Sequence, residues 1–305
     1  MDNHRRTSQR IITVPRRRSA VRFERQIDGQ LIAEELKSPH PNHFVARQRT
    51  TNAMPEVDLW FAAFADFDGY DAAATGVDLL DEEERRRRDR FLFTRDRDSF
   101  ALSHGLLRLV LSNYSEIEPA AWRYAWNDWG KPHIVEPKAE TSLRFNLSHT
   151  RGGALIGISR SLEIGVDIEA TQRETSCLDL ADRYFSPSEV AALRQLPDSR
   201  QRDRFFELWT LKESYIKARG MGLAIPLDQF SFAFPAEYDP AGEVAPSISF
   251  TPPLDDHPEK WRFVERPIGA TFRTAAAVCC PRDQPLKMTW RRLRPGPISS
   301  AELLV

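Results

Sequence analysis

The chain has 305 residues, of which 41% are hydrophobic, enough for one large domain or two small ones with a packed core. Its 43 basic and 44 acidic residues nearly cancel, but the first fifty residues carry eleven Lys and Arg against five Asp and Glu. The three cysteines form neither an even disulfide framework nor a CxxC motif, which indicates free thiols. Without a secretory signal or an apolar run near the roughly 18 residues of a membrane span, we expect a cytoplasmic protein.

Residues 1–54 combine arginine clusters with Ser, Gln, Asn and Pro and show little periodicity, which predicts a disordered, basic N-terminal extension. Order is expected to begin with a buried strand over residues 57–64. Helices are predicted over residues 79–90, where acidic residues precede basic ones as the helix dipole favours, and over residues 98–113. The apolar residues of the second helix crowd one face, so we expect it to be mostly buried.

The rest of the chain alternates between short strands and helices. Strands are predicted at residues 143–147, 154–159 and 164–168. A helix after Ser186-Pro187, a loop over residues 197–200 and a long helix over residues 203–219, ended by Gly220, follow them. Further strands are predicted at residues 230–234, 261–264, 274–280 and 287–293. This order indicates an α+β protein.

The two long helices have a similar apolar pattern, which indicates an internal duplication. The matching positions are Phe100, Leu102 and Val110 in the first helix and Phe206, Leu208 and Ile216 in the second. Because any two buried helices share a period of 3.6 residues, such matches also arise by chance.

The strand at residues 164–168 carries two acidic side chains on one face. Apolar and acidic residues alternate there, so Asp167 and Glu169 project to the same side. Neighbouring carboxylates repel unless a cation lies between them, and hard oxygen ligands suit Mg²⁺. Taken alone, the strand is better explained as an amphipathic edge strand whose acidic face lies in solvent.

The long helix carries a carboxylate and an ammonium one turn apart. Glu213 and Lys217 would be an ordinary exposed pair if the helix were polar. The neighbouring Trp209, Tyr215 and Ile216 make the helix bulky and apolar, so a charged pair within it indicates a functional site.

Two turns offer groups that bind phosphate. Ser148 and His149 close a strand before a turn that contains Gly152 and Gly153, although this is not a Walker loop and a histidine in a turn is most often structural. Lys131 lies in a second turn, between Gly130 and Pro132.

In this order, the segments resemble the 4′-phosphopantetheinyl transferase superfamily, in its pseudo-dimeric Sfp-like branch. The matching segments are GKP at 130–132, FNLSH at 145–149, GVDIE at 165–169, YFSPSE at 184–189 and FFELWTLKESYIKARGMGL at 205–223. The resemblance covers roughly residues 57–280, and the GVDIE and WTLKESYIK segments are highly specific as a pair.

The resemblance implies an α+β fold of two similar α/β subdomains related by a pseudo-twofold. We expect a basic extension (residues 1–54), an N-terminal subdomain (55–160), a C-terminal subdomain (161–285) and a C-terminal tail (286–305). Coenzyme A would lie in the cleft between the subdomains.

The resemblance also implies a magnesium-dependent enzyme, here expected to be a monomer. It would transfer the 4′-phosphopantetheine moiety of coenzyme A to a serine of an apo acyl or peptidyl carrier protein, releasing 3′,5′-ADP. Asp167, Glu169 and Glu213 would bind Mg²⁺ against the pyrophosphate. Glu213, or a water molecule that it orients on the metal, would accept the serine proton, and Lys217 would stabilise the leaving 3′,5′-ADP.

For coenzyme A, the resemblance places Ser148 and His149 at the phosphates and Lys131 beside the nucleotide. The basic residues that many members use for the 3′-phosphate have no clear counterpart, which is a departure from the family pattern. The corresponding positions fall near Glu84, Arg87, Ala101 and His104. Arg87 and Arg108 are the candidates that remain.

Three alternatives belong to other functional classes. A catalytically silent module that binds coenzyme A or a carrier protein would have lost a carboxylate, and none is lost. Binding of nucleic acid is suggested by the arginine-rich start, but those arginines are not interleaved with aromatic residues and the rest of the chain is acidic. A different magnesium-dependent phosphoryl-transfer enzyme, such as a nuclease, would share the carboxylates without requiring the WTLKESYIK helix.

Overall fold

The computed structural model describes residues 23–27, 30–34, 54–67, 72–140, 142–295 and 302–303. The chain divides into one unit of Met1–Arg49 and another of Thr50–Val305. In the first unit, β1 (Phe23–Ile27) and β2 (Gln30–Glu34) pair as an antiparallel hairpin that the sequence did not predict. Most of the predicted extension otherwise lies outside the described residues, so its disorder stays a prediction.

The second unit contains two successive sets of elements. The first set is β3 (Glu56–Ala63), α1 (Ala72–Leu79), α2 (Glu82–Asp89), α3 (Thr94–Ser112), β4 (Arg123–Trp126), β5 (Pro132–Glu136), β6 (Arg144–Thr150) and β7 (Gly153–Ser159). The second set is β8 (Ile164–Ala170), α4 (Cys177–Tyr184), α5 (Pro187–Gln195), α6 (Asp198–Arg219), β9 (Phe230–Ala233), β10 (Ser247–Phe250), β11 (Trp261–Ile268) and β12 (Phe272–Cys279). They are followed by β13 (Lys287–Arg292) and β14 (Glu302–Leu303). The predicted α+β class is confirmed.

The two sets repeat one order: a strand, three helices, a two-stranded sheet and two antiparallel strands. In the first half β7 lies between β3 and β6, and in the second half β12 lies between β8 and β11. The long helices α3 and α6 occupy the same place in this order. The repeated order agrees with the two similar α/β subdomains that the resemblance implies.

The C-terminal segment contributes to the sheet of the first half. β13 pairs in parallel with β3, which gives the strand order β14-β13-β3-β7-β6. Arg291 of this strand donates to Asp58 at 3.0 Å, and Arg292 donates to Asp66 at 2.9 Å. Part of the predicted tail, residues 286–305, is therefore a strand of the folded unit.

The apolar residues form layers between the helices and the sheets. Alternate residues of β3 point to opposite sides, with Trp60 in the cluster that packs under α3 and Leu59 in the cluster shared with the second sheet. Val166 of β8 lies in that same shared cluster, whereas Ala275 of β12 packs under α6. The layers are therefore α3, first sheet, second sheet and α6.

The predicted starts of three helices are wrong. One of them is α3, which begins at Thr94 and not at residue 98. The helix expected over residues 79–90 is broken, because Asp81 and Glu84 form a capping box that starts α2 after α1 has ended. The loop expected over residues 197–200 is the start of α6, whose first turn begins after Pro197. The predicted end of that helix is confirmed, since Gly220 adopts a left-handed conformation with φ of 67°.

Close contact between β8 and α6 depends on one glycine. A Cβ atom on Gly165 would lie 2.1 Å from the Ser214 carbonyl oxygen and 2.2 Å from the Ala218 backbone nitrogen. Only a residue without a side chain allows this approach. The strand and the helix that carry the predicted site are therefore in direct contact. Among the described residues, no helix has the length and apolar character required to cross a membrane.

Candidate active site

The contact between β8 and α6 brings the predicted acidic residues and lysine together. Asp167 is only 4% exposed, although β8 lies at the edge of its sheet. Lys217 Nζ donates to Asp167 Oδ1 at 2.5 Å. The alternative in which this acidic face lies in solvent is therefore wrong, because α6 covers the face.

Asp167 is at the centre of a small polar network. Its Oδ1 atom also accepts a hydrogen bond from Ser148 Oγ at 2.8 Å, and Lys217 Nζ donates to the same hydroxyl at 3.0 Å. Its Oδ2 atom is buried and has no hydrogen-bond partner among the described residues. A buried carboxylate oxygen without a partner is unfavourable, so this atom has unused capacity to bind a cation or a proton.

The two other carboxyl groups of the cluster, those of Glu169 and Glu213, lie near the Asp167 carboxylate. Burial, together with the nearby Asp167, raises the pKa of both Glu169 and Glu213 to about 7. Burial alone would lower the pKa of Lys217, but the surrounding carboxylates, Asp167 first, outweigh it and raise that pKa. Arg173 pairs with Glu169 at 3.2 Å but is partly exposed. Binding of additional protons or of a cation would therefore stabilise the cluster.

The donor chemistry suits Mg²⁺, which prefers carboxylate oxygens together with phosphate and water. The unpartnered Asp167 Oδ2 fits a bound cation. Within the part of the chain that the structure describes, however, no three His, Cys, Asp or Glu side chains are arranged as a metal site. The assignment of Asp167, Glu169 and Glu213 as metal ligands therefore stays a prediction.

A cleft of about 700 Å³ opens beside the cluster, and both halves of the second unit line it. The first half contributes Arg87, Lys131 and His149, and α6 contributes Lys217. Ser148 is buried behind this wall and reaches it through its contact with Lys217. The structure therefore brings the predicted phosphate-binding residues to one cleft next to the acidic cluster.

His149 lies on the wall of the cleft with part of its ring exposed. Burial by the surrounding protein atoms and the nearby His104, Lys217 and Arg87 lower the pKa of His149 to about 4, while Asp96 acts in the opposite direction. The ring is therefore neutral near pH 7 and offers one N–H donor and one acceptor.

Lys131 connects the halves at the other end of the cleft. Its Nζ atom donates to Glu163 Oε2 and to the Ala218 carbonyl oxygen, both at 2.8 Å. Asn127 of the same turn donates to the Gly220 carbonyl oxygen at 2.7 Å. Because its ammonium already donates to two acceptors, the main role of Lys131 in this structure is to attach the β4–β5 turn to the end of α6.

Arg108 is not available to a ligand. It is 0% exposed, and its guanidinium donates to Glu84, Asp81 and the carbonyl oxygens of Pro119 and Trp122. The structure therefore leaves Arg87 as the remaining candidate of the two.

Several residues of the cleft were not predicted from the sequence. Arg86 of α2 and Arg90, which caps the C-terminus of that helix, line it together with Arg87. His104 of α3 and Trp129 beside the GKP turn line it as well. The signal was present in the arginine run of residues 85–90, where positions 86 and 90 share one helix face. It was not recognised because a charged helix face is usually only solvated.

Side chains of β6 join β8, which belongs to the other sheet. Asn146, Ser148 and Thr150 alternate along β6 and therefore point to one side. Asn146 Oδ1 accepts from the Val166 N–H at 2.8 Å, Ser148 donates to Asp167, and Thr150 Oγ1 accepts from the Ala170 N–H at 3.4 Å. β6 and β8 belong to different sheets, so these side-chain contacts take the place of backbone hydrogen bonds between them. They hold the acidic strand β8 against β6, which carries Ser148 and His149.

Comparison with known proteins gives the family of the chain. The model of the 4′-phosphopantetheinyl transferase superfamily matches residues 163–279, and a model described as 4′-phosphopantetheinyl transferase, N-terminal, matches residues 70–159. Together they cover more than half of the chain and include both β8 and α6.

Curated relatives agree with these matches. 4′-Phosphopantetheinyl transferase HetI from Nostoc is 38% identical over 154 residues, covering 50% of this chain and 63% of HetI. 4′-Phosphopantetheinyl transferase Sfp from Bacillus subtilis is 35% identical over 156 residues, covering 51% of this chain and 66% of Sfp. The chain thus spans a little less than two thirds of the length of these relatives.

A crystal structure of Thermotoga maritima holo-[acyl-carrier-protein] synthase is 18% identical and covers 40% of this chain and 65% of the synthase, with a TM-score of 0.31. That likeness is too weak to bear on the fold. The two family models match the segments that form the acidic cluster and the cleft. The chain belongs to the 4′-phosphopantetheinyl transferase superfamily, in its Sfp-like branch.

Proposed function

We propose that this protein transfers the 4′-phosphopantetheine moiety of coenzyme A to a serine hydroxyl of an apo acyl or peptidyl carrier protein. The observation that carries the proposal is the cluster of Asp167, Glu169, Glu213 and Lys217. It lies beside a cleft whose wall includes Lys217 and His149. Such a cluster suits a reaction in which a pyrophosphate is bound and cleaved.

The cleft offers groups for the anionic parts of coenzyme A. Lys217 is charged and lies at the cleft wall, where its ammonium would bind a pyrophosphate oxygen. The neutral His149 ring would donate one hydrogen bond to a phosphate oxygen. Lys131 would lie beside the nucleotide, although its contacts with Glu163 and Ala218 reduce its capacity to bind it.

The 3′-phosphate would bind to the arginines of α2. Arg86, Arg87 and Arg90 all line the cleft. Arg86 pairs with the exposed Glu82, which costs little to break, and Arg87 lies 5.8 Å from the centre of the Phe100 ring. A planar guanidinium binds phosphate through two parallel hydrogen bonds, so this helix face suits a terminal phosphate.

Mg²⁺ would be held by Asp167, Glu169 and Glu213. When bound, it would neutralise negative charge on the pyrophosphate, as metals do in phosphoryl transfer. The buried Asp167 Oδ2 without a partner and the raised pKa values of the two glutamic acids support this choice.

The chain's own residues would then carry the transfer. The carrier serine oxygen forms a bond to the β-phosphorus, and the bond from that phosphorus to the bridging oxygen breaks, releasing 3′,5′-ADP. Glu213 would take the serine proton as a general base. Lys217 would stabilise the charge on the leaving phosphate.

The test is transfer with and without divalent metal. Purified protein with coenzyme A and Mg²⁺ is expected to add the mass of one phosphopantetheine moiety to an apo carrier protein. Removing metal with a chelator should stop the transfer, and added Mg²⁺ should restore it. The absence of a mass increase on fatty-acid, polyketide and peptide carrier proteins alike would contradict the proposal. The monomeric state, the cytoplasmic location and the lack of a nucleic-acid partner also stay predictions.

A further inference from the structure

The loop between α2 and α3 presents two apolar side chains to solvent. Leu92 is 80% exposed and Phe93 is 54% exposed, which is unusual for such large residues next to each other. The preceding residue, Phe91, turns inward, lines the cleft and packs against Phe100 with ring centres 5.6 Å apart. The exposed pair therefore lies directly outside the wall of the cleft.

The loop is held in this conformation. Arg97 of α3 donates to the carbonyl oxygens of Phe91 at 2.8 Å and Leu92 at 3.4 Å. The Phe93 carbonyl oxygen accepts from the backbone N–H groups of the first turn of α3, at Asp96 and Arg97. A surface that is already ordered loses little conformational entropy when a partner binds.

Positive charge exceeds negative charge around the exposed pair, with six arginines and three aspartates in residues 86–98, and Arg95 pairs with Asp96 at 3.4 Å. The guanidinium of Arg95 lies 5.3 Å from the centre of the Phe93 ring, and the Arg95 side chain is largely exposed. Arg90 lies two residues before Leu92 and borders the cleft. An apolar pair with arginines at its edge is complementary to a helix that carries an apolar side chain among carboxylates.

The loop also lies near the phosphate-binding end of β6. Asp96, three residues after Phe93, is close enough to His149 to raise its pKa. His104, two turns further along α3, stacks on Phe100 with ring centres 3.9 Å apart and lines the cleft. A partner bound to the loop would have its nearest surface at the cleft entrance beside His149.

We infer that Leu92, Phe93 and Arg95 form a docking surface for an acidic, amphipathic helix of the carrier protein that receives the phosphopantetheine moiety. This inference rests on the proposed function and adds to it the place where the protein substrate is recognised. Recognition here would affect binding of the carrier and leave binding of coenzyme A unchanged, because none of the three side chains lines the cleft.

The experiment compares steady-state transfer by the full chain and three variants. We expect Leu92→Ser/Phe93→Ser to raise the KM for the carrier protein about tenfold or more, with the KM for coenzyme A unchanged. Arg95→Glu should raise the carrier KM at low salt, and the difference from wild type should shrink as salt increases. Met54→Ser is the matched control, because Met54 is 45% exposed two residues before β3, and its replacement should have no effect.

The possible outcomes distinguish failure of the docking surface from failure of the proposed function. An unchanged carrier KM in the double variant overturns the docking surface while the transferase proposal stands. Equal rises in the KM values for carrier and coenzyme A also overturn it, because the loop would then act through the cleft. Loss of a dimer in the double variant, at an unchanged carrier KM, would assign the surface to a second copy of the chain. Failure of the wild-type protein to modify any carrier would instead contradict the proposed function itself.

Discussion

The two adjacent charged residues of α6, Lys212 and Glu213, have opposite roles. Lys212 is 0% exposed, and its ammonium donates to the carbonyl oxygens of Leu227 and Phe230 and pairs with Glu189 at 2.8 Å. Every donor is therefore used to attach α6 to its neighbours. Among the described residues, Glu213 forms no such ion pair. Burial beside Asp167 raises its pKa to about 7, although the nearby Lys217 acts in the opposite direction. Unbalanced charge of this kind marks a functional residue, whereas a satisfied ion pair marks a structural one.

The pH dependence of stability tests this assignment of Glu213. Its folded pKa of about 7 lies above the ordinary value of 4.5, so the folded protein binds the proton more tightly than the unfolded chain. The stabilisation is complete below about pH 4.5 and is lost as the pH rises through 7, with a slope that approaches about 1.4 kcal/mol per pH unit for one group. In metal-free buffer, Glu213→Gln should therefore gain stability relative to wild type between pH 5 and pH 8.

Urea unfolding at several pH values measures this difference. Added Mg²⁺ should restore the stability of the wild type above pH 7 and affect the variant less, because the variant lacks one proposed ligand. A difference in unfolding free energy that does not change with pH would show that Glu213 is already ionised and balanced in the fold.

At the scale of elements, the site depends on how closely β8 and α6 approach. Asp167 and Glu169 lie on the strand, Glu213 and Lys217 lie on the helix, and Gly165 sets the separation between the two backbones. Side chains of β6 hold the other side of β8, with Asn146 accepting the Val166 N–H. The acidic strand is therefore fixed from two directions, as a preorganised site requires.

Gly165→Ala is expected to disturb both folding and activity. The added Cβ atom would meet the backbone of α6 at 2.1 Å, and backbone cannot rotate away as a side chain can. Overpacking of this kind costs about 1–3 kcal/mol or more, and the movement of α6 should separate Lys217 from Asp167. Gly242→Ala is the control, because its nearest contact would be an ordinary 3.5 Å, so a change within about 0.5 kcal/mol is expected. Equal unfolding midpoints for the two variants would refute the close approach.

The sequence predicted β8 and the end of α6 because both carry strong local signals. Alternation of acidic and apolar residues placed Asp167 and Glu169 on one face, and Gly220 ended the helix. The start of α6 was missed because Pro197 and the polar residues after it are typical of both a loop and a first helical turn. The break between α1 and α2 was not predicted, because the capping box of Asp81 and Glu84 that causes it lies within the acidic run of residues 81–84.

The tertiary contacts of the site could not be predicted from local pattern. Nothing in the sequence around Asn146 indicates that its side-chain oxygen accepts a hydrogen bond from the backbone N–H of Val166 in the other sheet. Likewise, Arg108 and Arg87 look alike in sequence, yet one is wholly buried in ion pairs and the other lines the cleft. Such differences are set by packing between distant segments, which composition and periodicity do not encode.

At the scale of the whole molecule, the second unit contains every element of the proposed site. Its two halves repeat one order of elements, and residues from both line the cleft. Both family models also lie within it, at residues 70–159 and 163–279.

Removal of residues 1–49 is therefore expected to leave transfer largely unchanged. The truncated and full-length chains should have the same kcat and the same KM for coenzyme A within about twofold, measured by the appearance of modified carrier protein. A collapse of the rate with an intact thermal unfolding transition would show that the basic extension takes part in catalysis or in recognition of the carrier.

The most direct test of the central claim replaces the carboxylate at the centre of the cluster. Asp167→Asn keeps the shape of the side chain but removes its charge, and Asp182→Asn is the control, because Asp182 pairs with Arg194 on the exposed surface. Intact-mass measurement of an apo carrier protein incubated with coenzyme A and Mg²⁺ should show full modification by the wild type and the control. The Asp167 variant should be slower by more than about a hundredfold while remaining folded. Transfer at the wild-type rate by Asp167→Asn would contradict the proposed role of the cluster.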